Sequence, residues 1–175
     1  MRCPTLILVS VILAAPLLAQ KDKPEPLTEV QIEQIREAGI DPDARISLYT
    51  KFVTEHADVI KGLTNRAKSD ARGRRVDYEL QNLTALMDEL GSNLDTYSDR
   101  HADLRKALKL LTDTAPHWVS ILHALPGEPE FDLSRKEAIE SSEELADQAK
   151  RLLTEQTDYF NLHKDEKGQE RAEPK

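Results

Sequence analysis

Cysteine is nearly missing from this 175-residue chain: the one thiol is Cys3. If residues 1–19 are removed, no disulfide or thiol chemistry is left. Aromatic residues make up 5% of the chain and glycines number six, with no run of alternating apolar and polar residues. That argues against a sheet and for helices around a thin core. Among the five histidines, none has a glutamate three residues before it and none stands four residues from another. The Glu-x-x-His pattern of di-iron bundles is therefore absent, as are zinc motifs, a glycine-rich phosphate loop and a nucleophile elbow. No catalytic residue, metal ligand or cofactor site is assigned, and the chain reads as a non-enzyme.

Positive charge is also scarce, with 24 basic against 32 acidic residues and a net charge of −8. This disfavours nucleic acid and anionic lipid as partners. The one basic cluster is Lys68, Arg72, Arg74 and Arg75, read as a solvated turn with an anion or lipid headgroup as the lesser alternative. The acidic residues Glu140, Glu143, Glu144 and Asp147 read as a solvated helix face with at most a weak cation site.

Arg2 followed by an apolar stretch over residues 5–18 and then Leu17-Leu18-Ala19 has the form of a cleavable signal peptide, residues 1–19. The apolar stretch is short for a bilayer span; an uncleaved anchor is the alternative. Export to the periplasm or the exterior is expected, with no stable membrane insertion after cleavage. Residues 20–26 read as a charged, proline-broken disordered spacer, 27–163 as the helical domain, and 164–175 as a disordered charged tail.

What the sequence has is periodicity. Val76, Leu80, Leu83, Met87, Leu90, Leu94, Tyr97, His101, Leu104, Leu108, Leu111, Ala115, Trp118, Leu122 and Leu125 recur in alternating steps of four and three. Such a heptad stripe keeps one seam against a partner. As one helix it is about 75 Å long at 1.5 Å per residue. The expected fold is all-α: an elongated antiparallel bundle or coiled coil with this long central helix. The alternative breaks it near Gly91-Ser92 or Ser98-Asp99 into a compact bundle.

Shorter helices flank the seam. Thr28 and Gln31 form a capping box, Leu27 and Ile32 its hydrophobic staple, and Gly39 a left-handed stop followed by apolar Ile40. Asp41-Pro42 starts a second helix, 42 to about 70, with the stripe Ile46, Tyr49, Val53, His56, Ile60, Leu63, Ala67. A turn at Gly73 pairs Ala67 with Val76, His56 with Met87, Tyr49 with Leu94, and Phe52 with Gly91. Pro116 predicts a kink, or a break recapped by Asp113 or Thr114. Pro126-Gly127-Glu128-Pro129 is a loop, and Ser134 with Glu137 caps a last helix to about 163. That helix sets Leu145 against Leu111, Leu152 against Leu104, Gln156 against His101 and Tyr159 against Tyr97.

Two groups of residues stand out for function. A rod of this kind leaves Leu48, Phe52, Val59, Leu153 and Phe160 partly exposed, a surface for a second copy or another protein partner. His101 alone interrupts the apolar seam, and facing Gln156 it reads as a register-setting polar contact, with a pH sensor or ligand site as the sharper alternative. Asn82-Leu83-Thr84 matches a glycosylation acceptor, but it falls mid-helix beside a seam residue.

Leu27-Thr28-Glu29-Val30-Gln31 resembles the Leu-Thr-x-x-Gln motif of Spy/CpxP-type periplasmic proteins. Leu153-Thr154-Glu155-Gln156 comes near to a second copy, with glutamine one position early. The resemblance implies a stress-linked chaperone that holds unfolded clients on a dimeric helical cradle. The whole chain is also similar to small exported helical proteins of soil bacteria, which transfer no activity. Overall the sequence points to a noncatalytic exported scaffold or binding protein, with a Spy-like holdase second and a metal or enzymatic bundle third.

Overall fold

The computed structural model describes residues 26–163. The expectations for the signal peptide, the tail and all of the spacer but Pro26 lie outside the described residues. Five helices follow in order: α1 Glu29–Glu37, α2 Pro42–Thr64, α3 Asp70–Asp99, α4 Arg105–His123 and α5 Asp132–Leu162. No strand occurs among the described residues, and the fold is all-α.

The first helices start where their caps are. Thr28 N–H donates to Gln31 Oε1 at 2.9 Å and Gln31 N–H to Thr28 Oγ1 at 3.3 Å, which completes the capping box. Gly39 takes φ +61° and stops α1, but Ile40 beyond it faces solvent. Ile32 is also exposed, so α1 fixes itself to α2 through Ile35 and Leu27 without the expected staple. Asp41 caps α2 by accepting from Ala44 N–H at 3.2 Å, with Pro42 in the first turn.

The α2–α3 bend falls at 65–69, earlier than the expected turn at Gly73. Thr64 Oγ1 folds back on the Ile60 and Lys61 carbonyls, and Ser69 caps α3 by accepting from Arg72 N–H. This moves the register: His56 reaches Glu79 and not Met87, and Tyr49 donates to Glu89 at 2.5 Å. Gly73 lies inside α3, where an added Cβ would sit 2.9 Å from Glu130 Cβ. It is a close-approach glycine. Gly91 faces Gln148 and Leu145 of α5, so it does not make room for Phe52.

The single helix expected over residues 76–125 is two helices. It stays whole through Gly91 and ends just after Ser98-Asp99. His101, at φ +56°, is the left-handed residue of a Schellman stop: Ala102 N–H bonds Tyr97 O at 3.0 Å and His101 N–H bonds Ser98 O at 2.9 Å. Past Pro116 α4 continues without a break, and Ala115, Trp118 and Leu122 stay on the buried face. The expected Ser134–Glu137 capping box does not form. The helix begins at Asp132, and buried Ser134 donates to Asp77 Oδ1 of α3 at 2.6 Å.

The four long helices close into a bundle. Both α2 and α5 pack against α3 and α4, while α3 and α4 lie on a diagonal. Two antiparallel hairpins, α2–α3 and α4–α5, are laid side by side. Their parallel pairings are fixed by Asp43 with Ala107 N–H and Thr54 with Trp118 Nε1 on one side, and by Asp77 with Ser134 and Asp95 with Gln148 on the other. Trp118, Tyr49, Phe52, Phe131 and Phe160 are fully buried in the core. Each of α2 and α5 thus has two long helices as neighbours. At the bend end, buried Arg72 pairs with Glu128 of the 124–131 loop and donates to Thr64 O, tying the hairpins together.

Candidate functional site: the cleft at the helix break

The surface expected to recruit a partner is largely inside the bundle. Phe52 and Phe160 are each 1% exposed, Leu48 and Leu153 are partly buried against the core, and only Val59, at 44%, faces solvent. Folding α4 and α5 back onto α2 and α3 covers what a rod would leave open. Three of the four residues of the basic cluster are engaged: Arg72 and Lys68 meet Glu128, and Arg75 Nε donates to Glu79 at 2.8 Å, while Arg74 faces solvent. Asn82 is buried, so the acceptor pattern there has no exposed amide.

His101 and Gln156 come together at the break, in different roles from those expected. His101 is exposed at the end of α3 and not in the seam. Gln156 is the buried partner of the break: its side-chain carbonyl accepts from Leu104 N–H at 2.8 Å and its amide donates to Ala102 O at 3.0 Å. A helix end leaves backbone groups without intrahelical partners. Here one side chain from α5 satisfies a donor and an acceptor of the link. Asp103 adds support by accepting from Arg105 N–H at 3.3 Å and Arg105 Nε at 2.7 Å. That carboxylate pushes the Arg105 guanidinium further up from its ordinary range.

Around this clamp lies a cleft of about 380 Å³ lined by Ser98, Asp99, His101, Glu155, Gln156, Tyr159 and Phe160. Its wall is a stack of rings. The His101 and Tyr159 centroids are 4.8 Å apart at an interplanar angle of 4°, and His163 stacks on Tyr159 at 4.3 Å and 22°. Phe160 carries Arg105 over its ring at 4.7 Å. Periodicity set Tyr159 against Tyr97 and Gln156 against His101, and gave no sign that Tyr159 stacks on His101. Asp99 and Glu155 are exposed polar positions that no seam pattern picks out.

The other histidines bridge helices. His56 lies between Glu79 Oε2 at 3.2 Å and Pro26 O at 2.9 Å, His117 is 3.6 Å from Asp58, and His123 is 2.8 Å from Glu143. Burial raises the carboxyl pKa of Asp43, with Ala107 N–H opposing the shift. Burial, and then the hydrogen bond to Glu89, raises Tyr49. Among the described residues no three His, Cys, Asp or Glu side chains gather to hold a metal, and no helix is long and apolar enough to cross a membrane. Comparison with protein-family models, curated proteins and solved structures gives no match.

Proposed function

We propose that this is a noncatalytic, exported helical binding protein whose site is the cleft at the α3–α4 break. The observation that carries the reading is His101. A left-handed residue after a helix is most often glycine, and an L side chain there costs about 1 kcal/mol or more. This chain instead holds an imidazole at φ +56°, flat against Tyr159, on the wall of the cleft. Strain kept at a surface cleft marks a place where the side chain is used. The lining residues supply stacking faces, carboxylates and an amide committed to the backbone, which suits holding a ligand. Residues 1–19 support the exported address.

The test is amide chemical-shift mapping with a fragment set of mixed charge and ring content, on the wild type and on His101→Gly. Saturable shifts at Ser98, Asp99, His101 and Glu155 that weaken in the glycine variant are expected. Shifts elsewhere only, or equal shifts in both proteins, would refute the site.

A chaperone of the Spy type is the second reading. It is supported by α1, where the motif residue Val30 turns apolar surface outward with Ile32, and by Ile40 just beyond the helix. Suppressed aggregation of an unfolded client at stoichiometric amounts, lost in Val30→Glu/Ile40→Glu, is its expected result.

A further inference from the structure

We infer that His56 and Glu79 form a pH-sensitive latch, which holds α1 on the bundle while the pair carries an extra proton and frees it when that proton leaves. The inference is independent of the cleft. Among the helices α1 packs against α2 alone, through Leu27 and Ile35, while Val30 and Ile32 face solvent. Gln31 adds an exposed hydrogen bond to Glu55 at 3.2 Å. The better-sheltered polar contact is made by His56 of α2. Its Nε2 lies 2.9 Å from Pro26 O, at the entry to α1, and its Nδ1 lies 3.2 Å from Glu79 Oε2 of α3. One imidazole therefore joins the lead-in of α1 to both helices of the first hairpin.

A count of protons gives this contact its meaning. A backbone carbonyl and an ionised carboxylate only accept, and a neutral imidazole has a single N–H. Both contacts can stand together only if the pair holds one proton more than neutral His56 beside ionised Glu79. Whether that proton sits on the ring or on the carboxyl group, the count is the same. The other carboxylate oxygen, Glu79 Oε1, is already committed to Arg75 Nε at 2.8 Å. The side chains of His56 and Glu79 are only 16% and 8% exposed, so water is poorly placed to relieve a lone pair set against an acceptor.

The surrounding charges do not supply a substitute donor. Besides Glu79 and Arg75 of α3, α2 itself brings Glu55 and Lys51, which pair with each other at 3.7 Å. Glu29 and Glu33 of α1 are exposed, and Glu33 pairs with Arg36. Asp58 and His117 form a separate pair at 3.6 Å between α2 and α4. When the extra proton leaves, the remaining N–H stays with the carboxylate, because a charge-assisted bond is the stronger one. The Pro26 carbonyl then faces a bare ring nitrogen. Docked α1 binds one proton more than released α1, so docking is strongest in acid and weakens as pH rises. Release adds Ile35 to the apolar surface that Val30 and Ile32 already show.

The experiment is amide hydrogen exchange, corrected for intrinsic rates, from about pH 5 to about pH 8, the range in which an imidazole changes charge. The reporters are Ile32 N–H and Ala38 N–H, which bond to Thr28 O and Gln34 O, with Leu108 N–H of α4 as the reference. Protection of the two α1 amides should fall about tenfold or more across this range, as for loss of one hydrogen bond to a charged group. The midpoint should match the His56 titration followed by NMR, and Leu108 should show no such step. Glu79→Gln carries the sharper expectation. Its amide oxygen can keep the Arg75 contact while its amide N–H donates to Nδ1 of neutral His56, leaving Nε2–H for Pro26. This variant should hold α1 docked at both ends of the range. His56→Gln should also lose the pH step, with α1 no better protected than in the wild type at about pH 8, whereas His117→Gln should keep it. Circular dichroism checks that each variant is folded, and Glu79→Gln decides the matter if His56→Gln is not. Protection of α1 that is level with pH or rises with it overturns the inference. So does a step that survives in Glu79→Gln or His56→Gln, or one that Leu108 shares in full.

Discussion

Replacing Gln156 with leucine removes the clamp on the helix break while keeping the side chain's size. Leu104 N–H and Ala102 O lose their partner, and both residues are buried. An unsatisfied buried backbone group costs about 1–3 kcal/mol. Two such groups, less roughly 1 kcal/mol for the extra apolar burial of leucine, give a loss of about 1–5 kcal/mol. For a bundle of this size that lowers Tm by about 3–15 °C. Urea denaturation with an unchanged slope reads the loss directly. Hydrogen exchange should show Leu104 N–H protected in the wild type and fast in Gln156→Leu. Gln156→Glu, which keeps the acceptor and loses the donor, should also lose stability at neutral pH. A leucine variant within about 0.5 kcal/mol of wild type would mean that surface substitutions of no consequence are an adequate comparison, and the clamp would be refuted.

Three further outcomes are expected. His101→Gly should exceed His101→Leu in stability by about 1–2 kcal/mol in urea melts, since only glycine relieves the positive φ; the reverse order would return His101 to the apolar seam. Gly73→Ala should lose about 1–3 kcal/mol relative to Gly62→Ala, because Glu130 lies 2.9 Å from the added carbon and nothing lies within 4 Å at Gly62. Burial raises Asp43, so the folded state holds its proton more tightly than the unfolded chain. Its contribution is full below the ordinary aspartate range and is lost as pH rises through the raised folded value. The stability of wild type minus that of Asp43→Asn should therefore fall between pH 3 and 7, and a rise would contradict the burial argument.

Much of the local structure was written in short-range chemistry. Thr28 and Gln31, Asp41 and Pro42, and the Pro126-Gly127 loop act on neighbours in sequence, so their effects could be read without tertiary context. The break at 100–104 could not. Its stop uses histidine where glycine is the usual sign, and the link is just long enough that Leu94, Leu104 and Leu108 stay in heptad phase and all buried. Periodicity reports which side chains are buried, and two helices sharing one core give the same report as one long helix. The expected exposure of Phe52 and Phe160 followed from that rod and fell with it. Gly73 misled the bend because a glycine required by Glu130 across the bundle looks, in sequence, like a glycine required by a turn. The cleft was half legible: His101 and Gln156 stood out as polar interruptions, while Tyr159, Asp99 and Glu155 acquire meaning only when α5 is laid beside the end of α3.

The fold-back at 100–104 carries both the bundle and the cleft, and a spin-label distance tests it most directly. Asp58 of α2 and His117 of α4 lie 3.6 Å apart at their side chains, and both are exposed. With Cys3 replaced by serine, labels at Asp58→Cys and His117→Cys should give an interspin distance below about 25 Å, the span of adjacent helices plus linkers. In a single helix over 76–125, position 117 would lie about 57 Å along the axis from position 79, near which position 58 falls. A dominant distance beyond about 45 Å would contradict the bundle.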